Sequence, residues 1–425
     1  MSTDIDLETF NPFDAQTLQC PWPHYAKMRA EAPVLPVPSL GVHLVTTYDL
    51  VLEILRDSDT YSSNFGGAGM PVPQEERKLL AEVIAEAYPR VPTMLTADPP
   101  NHTRYRRLVS KAFTPRAIAA LEPEIRRITS RLIDGLLERG TVEFVRDFAV
   151  PLPVEVIAKA LNVPDEDKAD FKRWSDDSIA GIGTNITIQQ RIDAERGVNE
   201  FQRYFAREIE QRRIEPQDDL LTNLLNARID DDDPEVTDKR ELDVPEMLSI
   251  VQQLIVAGNE TTTKMLTEMM RLLGENPEQW AKVKADPSRV AAIVEETLRL
   301  STPTQGMWRI VTKDVELAGV KIAKGSRIVI VFSSANRDED VFGADGAADE
   351  FNPDGPHVGD HLAFGKGTHY CLGASLSRLE GRVALEELAK RLDSFVIDPS
   401  NDFGYHPSFM LRGLKRLDLT VMAAS

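Results

Sequence analysis

Apolar residues recur at three- and four-residue spacing from about residue 104 to 300, which predicts helix almost throughout that stretch. Before it, GVHLVTTYDLVLEIL (41–55) reads as a strand passing into a helix, within ninety residues that otherwise mix turns with short apolar runs. After Pro303 the period shortens. RIVTKDVELAGVKIAKGSRIVIVF (309–332) predicts short strands around turns at Ala318-Gly319 and Lys324-Gly325. A glycine-bearing loop and a helix from Cys371 to about Leu392 follow, and the chain closes on short strand-like pieces. The class is mainly α with a small β portion. No repeat or low-complexity linker divides the chain, and no internal boundary is obvious, although its 425 residues could hold two or three ordinary domains.

Within the helical stretch, Asp243 to Gly274 reads as one long helix, with Asp243 as N-cap, Pro245 in the first turn and Gly274 near the stop. Its centre is Ala257-Gly258-Asn259-Glu260-Thr261-Thr262. Glycine inside a helix costs about 1 kcal/mol relative to alanine, and a threonine there competes for the carbonyl four residues earlier. By itself this segment reads either as a packing notch or as an opening in a buried helix.

Composition narrows the setting. A formal charge of -19 argues against nucleic acid and against an anionic membrane as partners. Cys20 and Cys371 form no disulfide framework, and the acidic N-terminus lacks the order of a signal peptide, so a cytoplasmic protein is expected. Glycosylation-type triplets at Asn101, Asn185 and Asn259 are then chance matches. The acidic run from Asp230 reads as a solvated, mobile loop.

Cys371 stands in HLAFGKGTHYCLGASLSRLEGRVALEEL (361–388), just ahead of a helical stretch whose first N–H groups favour a thiolate. A lone cysteine is ordinarily a small buried hydrophobe, and a nucleophile is the second reading. Neither accounts for Gly365, Gly367, Gly373 and His369 around it. The pattern Phe364-Gly365-x-Gly367-x-His369-x-Cys371-x-Gly373 resembles the haem-binding loop of the cytochrome P-450 superfamily.

That resemblance implies the cytochrome P-450 fold: a triangular prism of helices with a long central distal helix and small peripheral β-sheets. Haem b would lie between the 243–274 helix and the 364–391 loop and helix. Cys371 becomes the proximal iron ligand, with Phe364 packed near the sulfur and Gly365 and Gly373 shaping the loop. Ala257-Gly258-Asn259-Glu260-Thr261 is similar to the family's acid–alcohol motif. Ala257 and Gly258 then border the haem, while Thr261 and Glu260 deliver protons for O2 activation. Thr262 and Thr263 leave that register open by one residue, and Thr261 is the expected alcohol. His369, Arg309, His102 and Arg106 are implied propionate partners. Glu296 and Arg299 match the family's buried E-x-x-R pair. The arginine that usually completes this pair is replaced by Gly355, and His357 is a candidate substitute.

By position in the family, Met94, Leu95, Val256, Ala257, Gln305, Met307, Phe409 and Met410 would line the substrate pocket. They are mostly apolar, with the Gln305 amide for orientation, which suits a terpenoid, steroid, fatty acid or alkyl-aromatic molecule. The expected activity is an O2-dependent monooxygenase. A peroxide-dependent hydroxylase and a non-catalytic haem sensor for a hydrophobic effector are the alternatives. With no dinucleotide fingerprint in the chain, electrons would pass from NAD(P)H through a reductase and a [2Fe–2S] or similar ferredoxin. Arg104, Arg106, Arg107, Lys111 and Arg116, with Lys366, Arg378 and Arg382, are the expected basic docking patch on a monomer.

Overall fold

The computed structural model describes residues 5–65, 74–182, 184, 186–230, 232–343 and 346–424. Asn185, named above, and Asp231, within the acidic run, lie outside them. The chain forms two compact units, one of residues 1–65, 125–152 and 261–425, the other of 66–124 and 153–260. No described helix is long and apolar enough to cross a membrane.

The motifs fall on α1 (Tyr48–Arg56), α2 (Asn101–Ala112), α3 (Val244–Glu275), α4 (Val290–Ser301) and α5 (Ala374–Arg391). The strands are β1 (Val34–Val37), β2 (Val42–Val45), β3 (Tyr61–Ser62), β4 (Thr141–Glu143), β5 (Met307–Val311), β6 (Val315–Leu317), β7 (Val320–Ile322), β8 (Arg327–Ile330), β9 (Leu392–Ile397) and β10 (Asp418–Ala423). All of them belong to the first unit, and the described regular structure of the second is helical.

In the first unit a five-stranded sheet runs β1-β2-β8-β5-β3. β2 and β8 pair in parallel, Val45 against Ile330, and β5 returns antiparallel with Arg309 against Ile328. The alternation of β8 turns Ile328 and Ile330 into a core shared with Val45, Ile54, Tyr61, Val311 and Leu362. Ala318 and Gly319 both take positive φ, 46° and 79°, the geometry that a two-residue hairpin turn between β6 and β7 requires. The sequence pattern located these strands. It missed the helix Trp22–Glu31, which is short, carries Pro23 in its first turn and has little periodicity.

α3 starts where its sequence says it should. The Asp243 carboxylate accepts from the Glu246 N–H at 2.9 Å, and the Glu246 carboxylate accepts from the Asp243 N–H at 3.0 Å. This reciprocal cap occupies two otherwise orphaned donors. The hydrogen-bonded helix then continues without a break through Gly258 to Glu275.

Candidate functional site

The cysteine loop is built in the first unit. The Cys371 N–H donates to the Phe364 carbonyl at 2.9 Å, tying the two ends of the loop together. Gly365 and Gly367 hold φ values of +66° and +67°, a region in which a side chain is strained. A Cβ on Gly367 would also sit inside van der Waals contact of the Leu55 carbonyl oxygen. That glycine therefore serves the approach of α1. Gly373 caps α5, and a Cβ there would lie 4.0 Å from the Cys371 sulfur.

Cys371 is a half-buried cysteine just ahead of the N-terminus of α5, where helix N–H groups favour a thiolate. His369 is half-buried in a single 3₁₀ turn ahead of it, and Arg309 on β5 is buried. A soft sulfur donor suits iron. These residues fit a haem with its carboxylates.

Along α3 the exposure changes at the motif. Asn259 and every residue from Thr262 to Met270 are buried, whereas Ala257 is exposed and Gly258, Glu260 and Thr261 are half-buried. The side of Gly258 is open, since a Cβ there meets no atom within 4 Å. The neighbouring threonines are committed elsewhere: Thr263 donates to the Ala149 carbonyl at 3.1 Å, and Thr262 faces the Ser377 hydroxyl at 3.5 Å. Thr261 itself is half-buried. In the second unit the Glu260 carboxylate lies 4.0 Å from Lys172 Nζ, and Asn259 donates to Ser175 at 3.2 Å. Neither Lys172 nor Ser175 was visible from sequence, because nothing local marks a partner some eighty positions away.

His102 and Arg106 sit one turn apart on α2, in the second unit. His102 is buried, and its pKa is lowered to about 4, first by burial and then by the Arg106 charge. It is a neutral ring at pH 7. Arg104, counted above in a docking patch, is instead a core residue 3% exposed. Its guanidinium bonds Glu246 at 2.9 Å and the carbonyls of Arg240 and Glu241 at 2.8 and 2.9 Å.

The expected solvated acidic loop lies against the same helix. Asp230 pairs with Lys111 at 2.7 Å, and Glu235 and Asp233 pair with Arg107 at 2.6 and 3.3 Å. Arg107 and Lys111 remain about half exposed, so the basic face of α2 is present but partly neutralised by its own chain. Arg116 and Lys366 are exposed. Arg382 bonds Glu386 at 2.9 Å, and Arg378 grips Glu295.

Glu296 and Arg299 form a buried bidentate pair at 2.7 and 2.8 Å. Arg299 also donates to the carbonyls of Asn336, Ala348 and Glu350. The position left open by Gly355 is filled by backbone: the Asn352 N–H donates to Glu296 at 2.8 Å. His357 does not substitute for the arginine, because it is exposed and bonded to Asp360 at 2.9 Å.

The residues that the resemblance assigns to a pocket are described unit by unit. Met94 and Leu95 follow Thr93, and both ends of that loop are stapled to α3 by Gln253, at 2.6 Å to Thr93 and 3.2 Å to the Leu95 N–H. Val256 and Ala257 lie one turn further on. In the first unit the Gln305 N–H donates to the Met410 carbonyl at 2.8 Å, bringing Gln305, Phe409 and Met410 together, and Met307 opens β5. The Gln305 amide N–H groups are spent on the end of α4, at 3.2 Å to Ser301 and 2.6 Å to Thr302. Its donors therefore do not orient a ligand.

The family model described as Cytochrome P450 matches residues 187–402. Cytochrome P450 109 of Bacillus spizizenii is 36% identical over 406 residues, spanning 94% of this chain and 92% of its own. The structure of cytochrome P450 CYP109Q5 from Chondromyces apiculatus matches with a TM-score of 0.85 at 36% identity, over 99% of this chain and 100% of that one. CYP109E1 from Bacillus megaterium, solved in complex with testosterone, matches with a TM-score of 0.79 at 32% identity, over 94% and 99% of the two chains.

Proposed function

Because the chain belongs to the cytochrome P450 family, whose members are monooxygenases, we propose that it hydroxylates a neutral, apolar substrate of the steroid or terpenoid kind, with Cys371 as the iron ligand. Haem b, when bound, supplies the O2-activating centre, whose chemistry thiolate donation directs towards O–O cleavage. The observation that carries this reading is the exposure pattern on α3, which opens at Ala257, Gly258, Glu260 and Thr261 and closes on both neighbouring threonines. Thr261 holds a proton at Oγ1, and the Glu260 carboxylate replaces it from the side of Lys172. Arg309 and Arg106 supply charge to the haem carboxylates; neutral His102, with His369, supplies N–H donors.

The substrate class rests on the apolar lining and on the absence of a charged group among the residues assigned to it, so a carboxylate has nothing to grip. Testosterone bound by CYP109E1 is consistent with that class. Electrons are proposed to come from NAD(P)H through a reductase and a [2Fe–2S] ferredoxin, to a cytoplasmic monomer whose 425 residues act as one domain.

A ferrous–CO spectrum tests the ligand first, and a band without the red shift of thiolate ligation removes the assignment. Spin-state titration then compares testosterone, a monoterpene and a long-chain fatty acid; tightest binding of the acid overturns the substrate class. Thr261→Ala is expected to leave haem and substrate binding intact. Product formation falls by about two orders of magnitude, the lower range for a positioned acid–base group, and the electrons appear as peroxide. Unchanged coupling refutes the role of Thr261.

A further inference from the structure

Arg378 is held over the cysteine loop by a network that the family motifs do not include. Its Nε and Nη2 donate to the two oxygens of Glu295 at 2.6 and 2.7 Å, a bidentate grip, and Nη1 donates to the Tyr370 hydroxyl at 3.1 Å. This fixes the guanidinium with its carbon 4.5 Å from the centre of the Phe364 ring, in cation–π range.

His361 closes the network from the other side. Its Nδ1 accepts from the Ala363 N–H at 3.2 Å, so the ring proton is on Nε2, which donates to Glu295 at 3.1 Å. Its ring also lies 5.9 Å from Phe364. Burial alone would raise the Glu295 pKa, but hydrogen bonds from Arg378 and His361 outweigh it and leave the group at about 2. The network is thus a fixed cation with a fixed anion behind it. Phe364 is in turn joined to Cys371 by the 2.9 Å bond between its carbonyl and the cysteine N–H.

We propose that Arg378, set by Glu295 and His361, is a positioning residue for the cysteine ligand: through Phe364 it fixes the loop and sets the reduction potential of the iron that Cys371 binds. The inference rests on the assignment of Cys371 as that ligand. Partners one shell out from a metal commonly tune it in this way. The two charges act with opposite sign. A cation stacked on Phe364 favours the ferrous state, and the carboxylate behind it favours the ferric state.

The test is the ferric–ferrous midpoint potential of the substrate-free holoenzyme, with the ferrous–CO band recorded for each sample. Arg378→Gln is expected to lower the potential and Glu295→Gln to raise it, both keeping the thiolate-type band. Arg378→Lys, which keeps the charge and loses the planar stack, is expected to fall between wild type and Arg378→Gln. Should Arg378→Gln fail to accumulate, Arg378→Lys and Glu295→Gln carry the comparison, the first moving the potential downward and the second upward. Shifts in the same direction for the arginine and glutamate variants, or no shift, overturn the proposal. A wild-type enzyme without the thiolate band instead overturns the ligand assignment on which it rests.

Discussion

Glu380 is a carboxyl that the protein cannot ionise cheaply. It is 2% exposed on α5, its Oε2 is buried without a hydrogen-bond partner, and burial pushes its pKa up to about 8. The native state keeps this proton, while the unfolded chain releases it above its ordinary value of 4.5. Stability from this group is therefore present at low pH and drains away as pH rises between those values. Glu380→Gln removes the drain. At pH 7 the variant is expected to be more stable by on the order of 3 kcal/mol, and the gap closes below about pH 4.5. Urea unfolding at a series of pH values measures it, and parallel curves for the two proteins would show that Glu380 is solvated. Nothing in LSRLEGRVALEEL distinguishes Glu380 from Glu386 or Glu387, which are half-buried and meet Arg126. Isolation is a property of what packs around a residue, and the sequence is silent on that.

At the scale of elements, α2 and the segment from Asp230 to Asp243 are each plain in the sequence, one basic and one acidic. Their contact is not plain, because it joins positions more than a hundred residues apart. The cysteine loop and the acid–alcohol motif were legible for the opposite reason: each carries its chemistry within about ten consecutive residues. The contact has a consequence for docking. The proposed ferredoxin, docking on α2, would meet Arg107 and Lys111 already shared with Asp230, Asp233 and Glu235. Exposed pairs of this kind are each worth about 0.2–1 kcal/mol. Converting the three acids to their amides should tighten ferredoxin binding severalfold at low salt and leave it unchanged at high salt, where screening removes the effect. Isothermal titration at two ionic strengths decides this, and equal affinity at low salt would show that α2 is not the docking face.

For the whole molecule, Arg299 concentrates several buried bonds on one side chain, joining α4 to three backbone carbonyls as well as to Glu296. Removing one partner of a buried charged pair costs about 3–5 kcal/mol. Arg299→Lys keeps the charge but not the planar fork, and is expected to lower the yield of folded protein sharply or to depress its melting temperature by several degrees. Wild-type melting would remove this pair from the fold's framework. The sequence identified the pair and misassigned its third partner, since an N–H from the Asn352 backbone leaves no trace in residue identity.

Glu295 and Glu296 are neighbours on α4, and successive side chains on an α-helix point about 100° apart. One faces the loop at Asn352 and the other faces Arg378 beside the cysteine loop. A single helical step therefore gauges the framework and the ligand together. Loosening α4 releases both, so, with Cys371 as the proposed iron ligand, warming is not expected to yield a folded protein that has merely let go of that ligand. The two losses should arrive as one event, and a preparation's colour would report its fold.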